Sequence, residues 1–540
     1  MMRLLAFCLV FWLSQTAHAA NVEASWTQDF QKEIDWQKLS DAGYLVIGNK
    51  DAIFGVDPAD GKIVWTLEQF KKMPEDFLEV LDGTQFGAIT YKGGVLGFGT
   101  TTYLVDLITG TILWDTSTIE LGNCSGQFYL PEAGGLLIFG YDKKGKPITK
   151  LVDLATGSAF WSADDWYKPG KTPQLFSIST EKKSRLGVMG NQRPLFLEDG
   201  SFLELMSVMG LRRINAETGK IIWSCDLKIK GVPAPKAGYA PITLSTDGKT
   251  VYVPHDNNVV AVNVADGKVL WNKPEKLRGI AYQMAYTEKG LVVRGGPGGS
   301  DPKGKPFIMT LDTKSGEKSW KKPFKDLESA SSFVIDGDKI VIYADSEIHQ
   351  IDIASGDHKE LADKIKLGDG EIPHTLELRD NGYLLISSQN LALYDTKGKQ
   401  VYWTYNRAPQ AGMLAKIAST AVILAVNAAS VANAYGQANA RAAQSASGRG
   451  EASYTLITKN PVMSERFAQS ESSQNFVYML ADVGPGGQKA GAGVIQVDKV
   501  TGANMKSVVL GTKDPVYEVD ELGGRLFFKS GKSEITCFKF

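Results

Sequence analysis

Cysteine is scarce in this chain of 540 residues, which holds four, none adjacent to another. That excludes a dense disulfide framework. Cys124, Cys225 and Cys537 each lie in or near a β-run, where a thiol serves as a small buried hydrophobe; a bridge between two of them is the alternative. Histidine is scarce too: of five, His255, His349, His358 and His374 stand singly, without the spacing of a metal site. No Gly-x-Ser-x-Gly elbow occurs, so a serine hydrolase of the familiar kind is not supported. Asp336-Gly337-Asp338 reads as a hairpin turn, not a calcium loop. Gly295 to Gly299 lacks the helix and the Lys-Ser/Thr of a phosphate cradle and reads as a hairpin tip. Charge of one sign is missing as well: 59 basic against 60 acidic residues, a net charge of −1, argues against a polyanionic partner such as nucleic acid.

The N-terminal apolar run, Leu4 to Leu13, is too short to span a bilayer. Preceded by Arg3 and followed by Ala17-His18-Ala19, it reads as a cleavable signal peptide over residues 1–19. Cys8 follows the bulky Phe7, which does not suit a lipoprotein signal, so the mature chain, 20–540, is expected in the periplasm or outside the cell without a lipid anchor.

What the chain has in quantity is one repeated pattern, apolar-Asp-x-x-x-Gly-x-x-x-Trp. It occurs at Asp57/Gly61/Trp65, Asp106/Gly110/Trp114, Asp153/Gly157/Trp161, Asn215/Gly219/Trp223, Asn263/Gly267/Trp271 and Asp312/Gly316/Trp320. Asp395 and Trp403 keep the span with Gly398 one place early, and Asp352/Gly356 and Asp498/Gly502 lack the Trp. Seven of eleven Trp fall in this register. Each copy reads as a hairpin: a β-run leads in, Asp or Asn caps the turn, Gly supplies positive φ and a second β-run carries Trp outward. A period near 40 to 50 residues with several strands per unit is that of a β-propeller, whose blades stack to bury their faces.

At these residues the chain resembles the pyrroloquinoline-quinone-type propeller repeat family, whose blades carry an Asp-Ala-x-Thr-Gly-x-x-x-Trp docking motif; Asn215 to Trp223 is nearly that consensus. The resemblance implies an all-β fold, a single propeller of about eight to ten four-stranded blades. It assigns blade docking to Trp65, Trp114, Trp161, Trp223, Trp271, Trp320 and Trp403 with Gly61, Gly110, Gly157, Gly219, Gly267 and Gly316. Glu23 to Thr27, with Trp26 as a further docking residue, looks like an outgoing strand without its turn, and Glu534 to Phe540 like incoming strands without a Trp. The N-terminal strand is therefore expected to complete the last blade and close the ring.

One stretch departs from the repeat. Trp403 and Asp498 are 95 residues apart, against 41 between Trp65 and Asp106. Within an insertion at 408–455, Leu414, Ile417, Ala421, Leu424, Ala428, Val431 and Tyr435 follow three-four spacing, which predicts a helix with an apolar stripe. Three roles are open to it: a plug across the propeller, a partner-binding element led by Leu414, Ile417, Leu424 and Val431, or membrane contact. Lys416, Asn427 and Asn433 disfavour the last.

Two functions are expected from this reading. The first is a non-catalytic exported scaffold that binds a protein partner in the cell envelope, similar in type to the periplasmic scaffold of outer-membrane assembly; it predicts no cofactor and no metal. The alternative is a quinoprotein-like oxidoreductase. There the resemblance implies pyrroloquinoline quinone in the central channel beneath two adjacent cysteines, with Ca²⁺ and an Asp base. The chain has no Cys-Cys pair, so that pocket would be atypical.

Overall fold

Each Asp-x-x-x-Gly segment turns a hairpin by local hydrogen bonding. Asp106 Oδ1 accepts the N–H groups of Ile108 and Thr109 at 2.9 and 3.1 Å, and the Gly110 N–H reaches the Asp106 carbonyl at 2.8 Å. Gly110 takes a φ of +72°, which a residue with a Cβ adopts only under strain. The computed structural model describes residues 19–540 except 93–99, 164–192, 207–209, 226, 228–239, 299–300, 326, 328, 410–456, 458–459, 467–474, 484–490 and 513–514. The leader and the stripe Leu414, Ile417, Leu424 and Val431 lie outside the described residues.

The described strands form ten antiparallel blades, nine sheets having four strands and one three. In chain order they occupy residues 34–67, 78–115, 121–163, 195–225, 243–263, 280–325, 333–362, 375–405, 476–509 and 517–539. In eight of them, blades 1 to 8, the repeat turn follows the third strand, so the first strand is innermost and the chain after the turn, which carries the Trp in all but blade 7, runs on the outside. Consecutive blades meet through apolar clusters all round the ring, from Trp36, Phe70 and Val105 between blades 1 and 2 to Leu45, Phe527 and Cys537 between blades 10 and 1.

The N-terminal strand closes the ring. Ala24–Asp29 pairs antiparallel with Glu534–Lys539, Trp26 opposite Cys537, as the outer strand of blade 10. Just before it, Ala20–Asn21 lies parallel along the outer strand of blade 9, Asn504–Val509. One stretch of chain thus ties two blades together and removes the free edges of an open sheet.

The indoles sit where consecutive blades meet. Trp26, Trp65, Trp114, Trp161, Trp223, Trp271 and Trp320 donate their N–H to the carbonyls of Pro58, Leu107, Leu154, Ala216, Val264, Thr313 and Ile353, at 2.8 to 3.1 Å. Every acceptor is the residue after the turn Asp or Asn of the next blade. The ring also covers that blade's turn glycine: a Cβ on Gly110 would come within 2.5 Å of Trp65, and one on Gly219 within 2.4 Å of Trp161.

Blade 8 departs from the expectation for Trp403. There Tyr402 covers the next glycine, Gly502, and donates its hydroxyl to the Lys499 carbonyl. Trp403 is 45% exposed. The outgoing strand is phased from the glycine, not from the Asp: with Gly398 one place early, the fourth residue after it is Tyr402. A one-residue shift then turns Trp403 to the other face.

Gly219→Ala is expected to cost more stability than Gly200→Ala. Both positions have positive φ, 69° and 78°, but only at Gly219 does a neighbour stand in the way. The shared backbone penalty is about 1–2 kcal/mol, and the clash with Trp161 adds to it; denaturant midpoints of the two variants measure the difference.

Candidate functional site at the inner hairpins

The insertion that leaves blade 8 is next described on the opposite side of the ring. Ile457 is buried among Leu81, Phe86 and Tyr129, in the cluster between blades 2 and 3. A short helix follows at 461–466. Asn460 caps it, accepting the Val462 N–H at 3.0 Å, and Pro461 occupies the first position, where its missing donor costs nothing. Met463 and Arg466, both on it, are buried.

Arg466 is the centre of the site. Its Nη1 and Nη2 donate to the two carboxylate oxygens of Asp520 at 2.9 and 2.8 Å, and its Nε donates to the Asp41 carbonyl at 2.5 Å. Asp520 also accepts the Gly523 N–H at 3.0 Å, and the Asp41 carboxylate accepts the Gly83 N–H at 2.6 Å. Asp41, Gly83 and Asp520 belong to the first hairpins of blades 1, 2 and 10. A single planar guanidinium thus fastens the end of the insertion to neighbouring blades, a geometry lysine cannot reproduce.

Beside this ion pair is a cavity of about 480 Å³ between the short helix and blades 9, 10 and 1, lined among others by Tyr44, Glu465, Tyr478, Gln496, Arg525 and Phe540. Blade 9, on one side of it, differs from the repeat in its described strands. Its turn at Asp498 to Gly502 follows the second described strand, and the sheet's fourth strand is the N-terminal one on the outside. Among the described residues, blade 9 has no innermost strand.

The adjoining inner strands and their turns are acidic and half-buried. Burial pushes the carboxyls of Glu79, Glu518 and Glu521 up to about 7 and that of Asp41 up to about 6, with hydrogen bonds from Gln127 to Glu79 and from Gly83 to Asp41 working against the rise. Lys38, whose ammonium donates to the Leu78 carbonyl at 2.7 Å, is the cation that holds the Glu79 and Glu518 values down.

The comparisons with known proteins bear on this arrangement. A family model described as outer membrane protein assembly factor BamB matches residues 145–405 and 255–520, more than half of the chain. The chain belongs to that family. Quinone-dependent alcohol dehydrogenases are also similar in part. The dehydrogenase subunit of Gluconobacter oxydans (strain 621H) is 23% identical over 199 residues, 31% of this chain and 26% of that protein. Its counterpart in Gluconacetobacter polyoxogenes is 25% identical over 218 residues, 34% and 29%. The chain therefore matches under a third of the length of these relatives. Among solved structures, BamB from Moraxella catarrhalis aligns over 71% of this chain and all of its own at 12% identity, with a TM-score of 0.32.

The described residues of this BamB-family propeller do not form the pocket of paired cysteines and Ca²⁺ ligands that the sequence resemblance implies for a quinone cofactor. Cys124, Cys225 and Cys537 belong to blades 3, 4 and 10, none in a disulfide. Burial pushes the Cys124 and Cys537 thiols up to about 11 and about 12, as suits inert core groups. Among the described residues no group of three His, Cys, Asp or Glu side chains is placed to hold a metal ion. His349 and His358 of blade 7 meet Phe324 of blade 6 edge-on.

The sequence reading missed Arg466, Asp520, Asp41 and the half-buried glutamates. Asp41 and Arg466 are 425 positions apart, and no periodicity links them. The one available signal was Asn460-Pro461, a helix start just past the insertion at 408–455.

A pH dependence follows. A carboxyl whose pKa is raised in the fold contributes most stability below its unfolded value, near 4.5 for Glu, and loses that contribution as the pH rises through about 7. The melting temperature is thus expected to be higher at about pH 5 than at about pH 8. Glu79→Gln, which keeps an acceptor for Gln127, is expected to flatten that slope, as scanning calorimetry across the range will show.

Proposed function

We propose that the protein is an exported, non-catalytic scaffold of the cell envelope that holds a protein partner on its propeller. The observation that carries this reading is the fixing of the chain's own segment 457–466 across the inner hairpins of blades 3, 2, 1 and 10 by the buried Arg466–Asp520 pair. That part of the face is occupied by the chain itself. Membership of a family described as an assembly factor supports the same reading. So does a surface rich in loops and outer strands, where binding specificity is carried on repeat folds.

A second reading, a quinone-dependent oxidoreductase with an unusual pocket, is favoured by the partial similarity to the two alcohol dehydrogenase subunits. One experiment separates the two: calorimetric titration of the purified protein with pyrroloquinoline quinone and Ca²⁺, followed by a dye-linked alcohol oxidation assay. The scaffold reading expects neither saturable binding nor turnover. Turnover would establish the oxidoreductase instead.

A further inference from the structure

The register shift in blade 8 leaves an unusual outer strand. In the six blades that carry a docked Trp after their own turn, the next residue is Thr66, Asp115, Ser162, Ser224, Asn272 or Lys321, polar in every case. In blade 8 that place is taken by Trp403. Its indole is 45% exposed, and Val401 on the same side of the strand is 56% exposed.

Trp403 is nevertheless held rigidly. Its N–H donates to Asn390 Oδ1 at 3.1 Å, and its ring stacks on Tyr405 with centroids 6.3 Å apart and planes at 21°. Asn390 is only 1% exposed; its amide donates to Glu371 and Ser387 at 3.0 and 3.1 Å, and its Oδ1 also accepts the Gly368 N–H at 2.7 Å. With the indole donor satisfied internally, what Trp403 offers outward is an apolar, pre-ordered surface. Such aromatic groups lose little entropy on contact and dominate protein interfaces.

The backbone beside them forms an outer edge among the described residues. Gln400–Tyr405 pairs on one side with Asn390–Tyr394, and among the described residues no strand pairs with its other side. One blade further on, the equivalent edge is occupied: Ala20 and Asn21 lie parallel to Lys506 and Ser507, and the Val22 N–H reaches the Ser507 carbonyl at 2.8 Å. The outer edge of this propeller therefore accepts an added parallel strand. At the start of the blade 8 strand, Lys397 and Lys399 are exposed.

From these observations we infer that the outer edge of blade 8 binds an extended segment of the partner polypeptide as a fifth strand. Alternating apolar side chains of that segment rest on Val401 and Trp403, and an acidic N-terminal end faces Lys397 and Lys399. Main-chain hydrogen bonds supply affinity, and the two exposed side chains select for apolar residues at alternate positions. The inference rests on the scaffold reading and names the chemistry of its partner.

The test uses the full chain and a synthetic peptide of two Asp followed by three Val-Thr pairs. Amides of 400–405 are expected to gain protection from hydrogen exchange and Trp403 emission to change. Trp403→Ser should lose roughly tenfold or more in peptide affinity, and a peptide with Pro at alternate positions should not bind, since it lacks the donors. Absence of protection at 400–405 in the folded wild type would overturn the inference. So would photocrosslinking from position 401, in cells, to residues 410–456 of the same chain or to a second copy, because either would mean that the edge is already taken. If a partner co-purifies equally with wild type and Trp403→Ser, this surface is refuted while the scaffold reading stands. If the wild type brings down no partner, the scaffold reading fails, and peptide protection still scores the edge by itself.

Discussion

Trp320→Ala is expected to lower the stability of the propeller by about 3–5 kcal/mol, the range for deleting a buried aromatic side chain. Trp320 is 2% exposed, its ring covers Gly356 of blade 7, and its N–H donates to the Ile353 carbonyl at 2.8 Å. The change removes apolar contact on both sides of the seam and leaves the Ile353 carbonyl without its donor, so a cavity cost and a desolvation cost add. The companion variant Trp403→Ala shares the residue type and the sequence register but not the docking. With its ring 45% exposed, it should cost below about 1 kcal/mol. Denaturant unfolding of the pair measures both. Equal losses would mean that the seam does not depend on the indole's place in it.

Arg466→Ala is expected to cost about 3–5 kcal/mol, because it leaves the Asp520 carboxylate buried without its counter-charge. Asp520 has 1% of its side chain exposed and Arg466 has 9%. Losing the bidentate pair also frees the Asp41 carbonyl that the Arg466 Nε satisfies. Arg466→Lys should recover little, since an ammonium cannot span both Asp520 oxygens and the Asp41 carbonyl. By contrast, the double variant Arg466→Met with Asp520→Leu should return most of the stability, since well-packed apolar replacements of buried pairs are often neutral or better. If the double variant stays as unstable as the single one, the pair serves to position the insertion's tail and not merely to neutralise charge. Thermal unfolding of the three variants decides between these outcomes.

How much of this was legible beforehand depended on distance along the chain. The turn of blade 4, Asn215 to Gly219, is a local matter: its cap and its positive φ involve residues four apart. Closure by the N-terminal strand was legible for a different reason, since a strand lacking its turn and a blade lacking its last strand complement each other. Trp403 shows where pattern counting fails. The count from Asp395 placed it in the seam, while the backbone, phased by Gly398, placed Tyr402 there.

The sequence by itself determined the repeat, the kind of blade and the closing of the ring, because periodic spacing of Asp, Gly and Trp encodes short-range turns and the same nearest-neighbour contact many times over. Only the tertiary structure decided what makes this propeller individual. It brought Arg466 to Asp41 and Asp520, placed an added strand on the outside of blade 9, and set the half-buried Glu79 and Glu518 against Lys38. Those contacts join single residues from distant parts of the chain, each made once. Their energy comes from burial and charge pairing in three dimensions, and nothing periodic in the sequence records it.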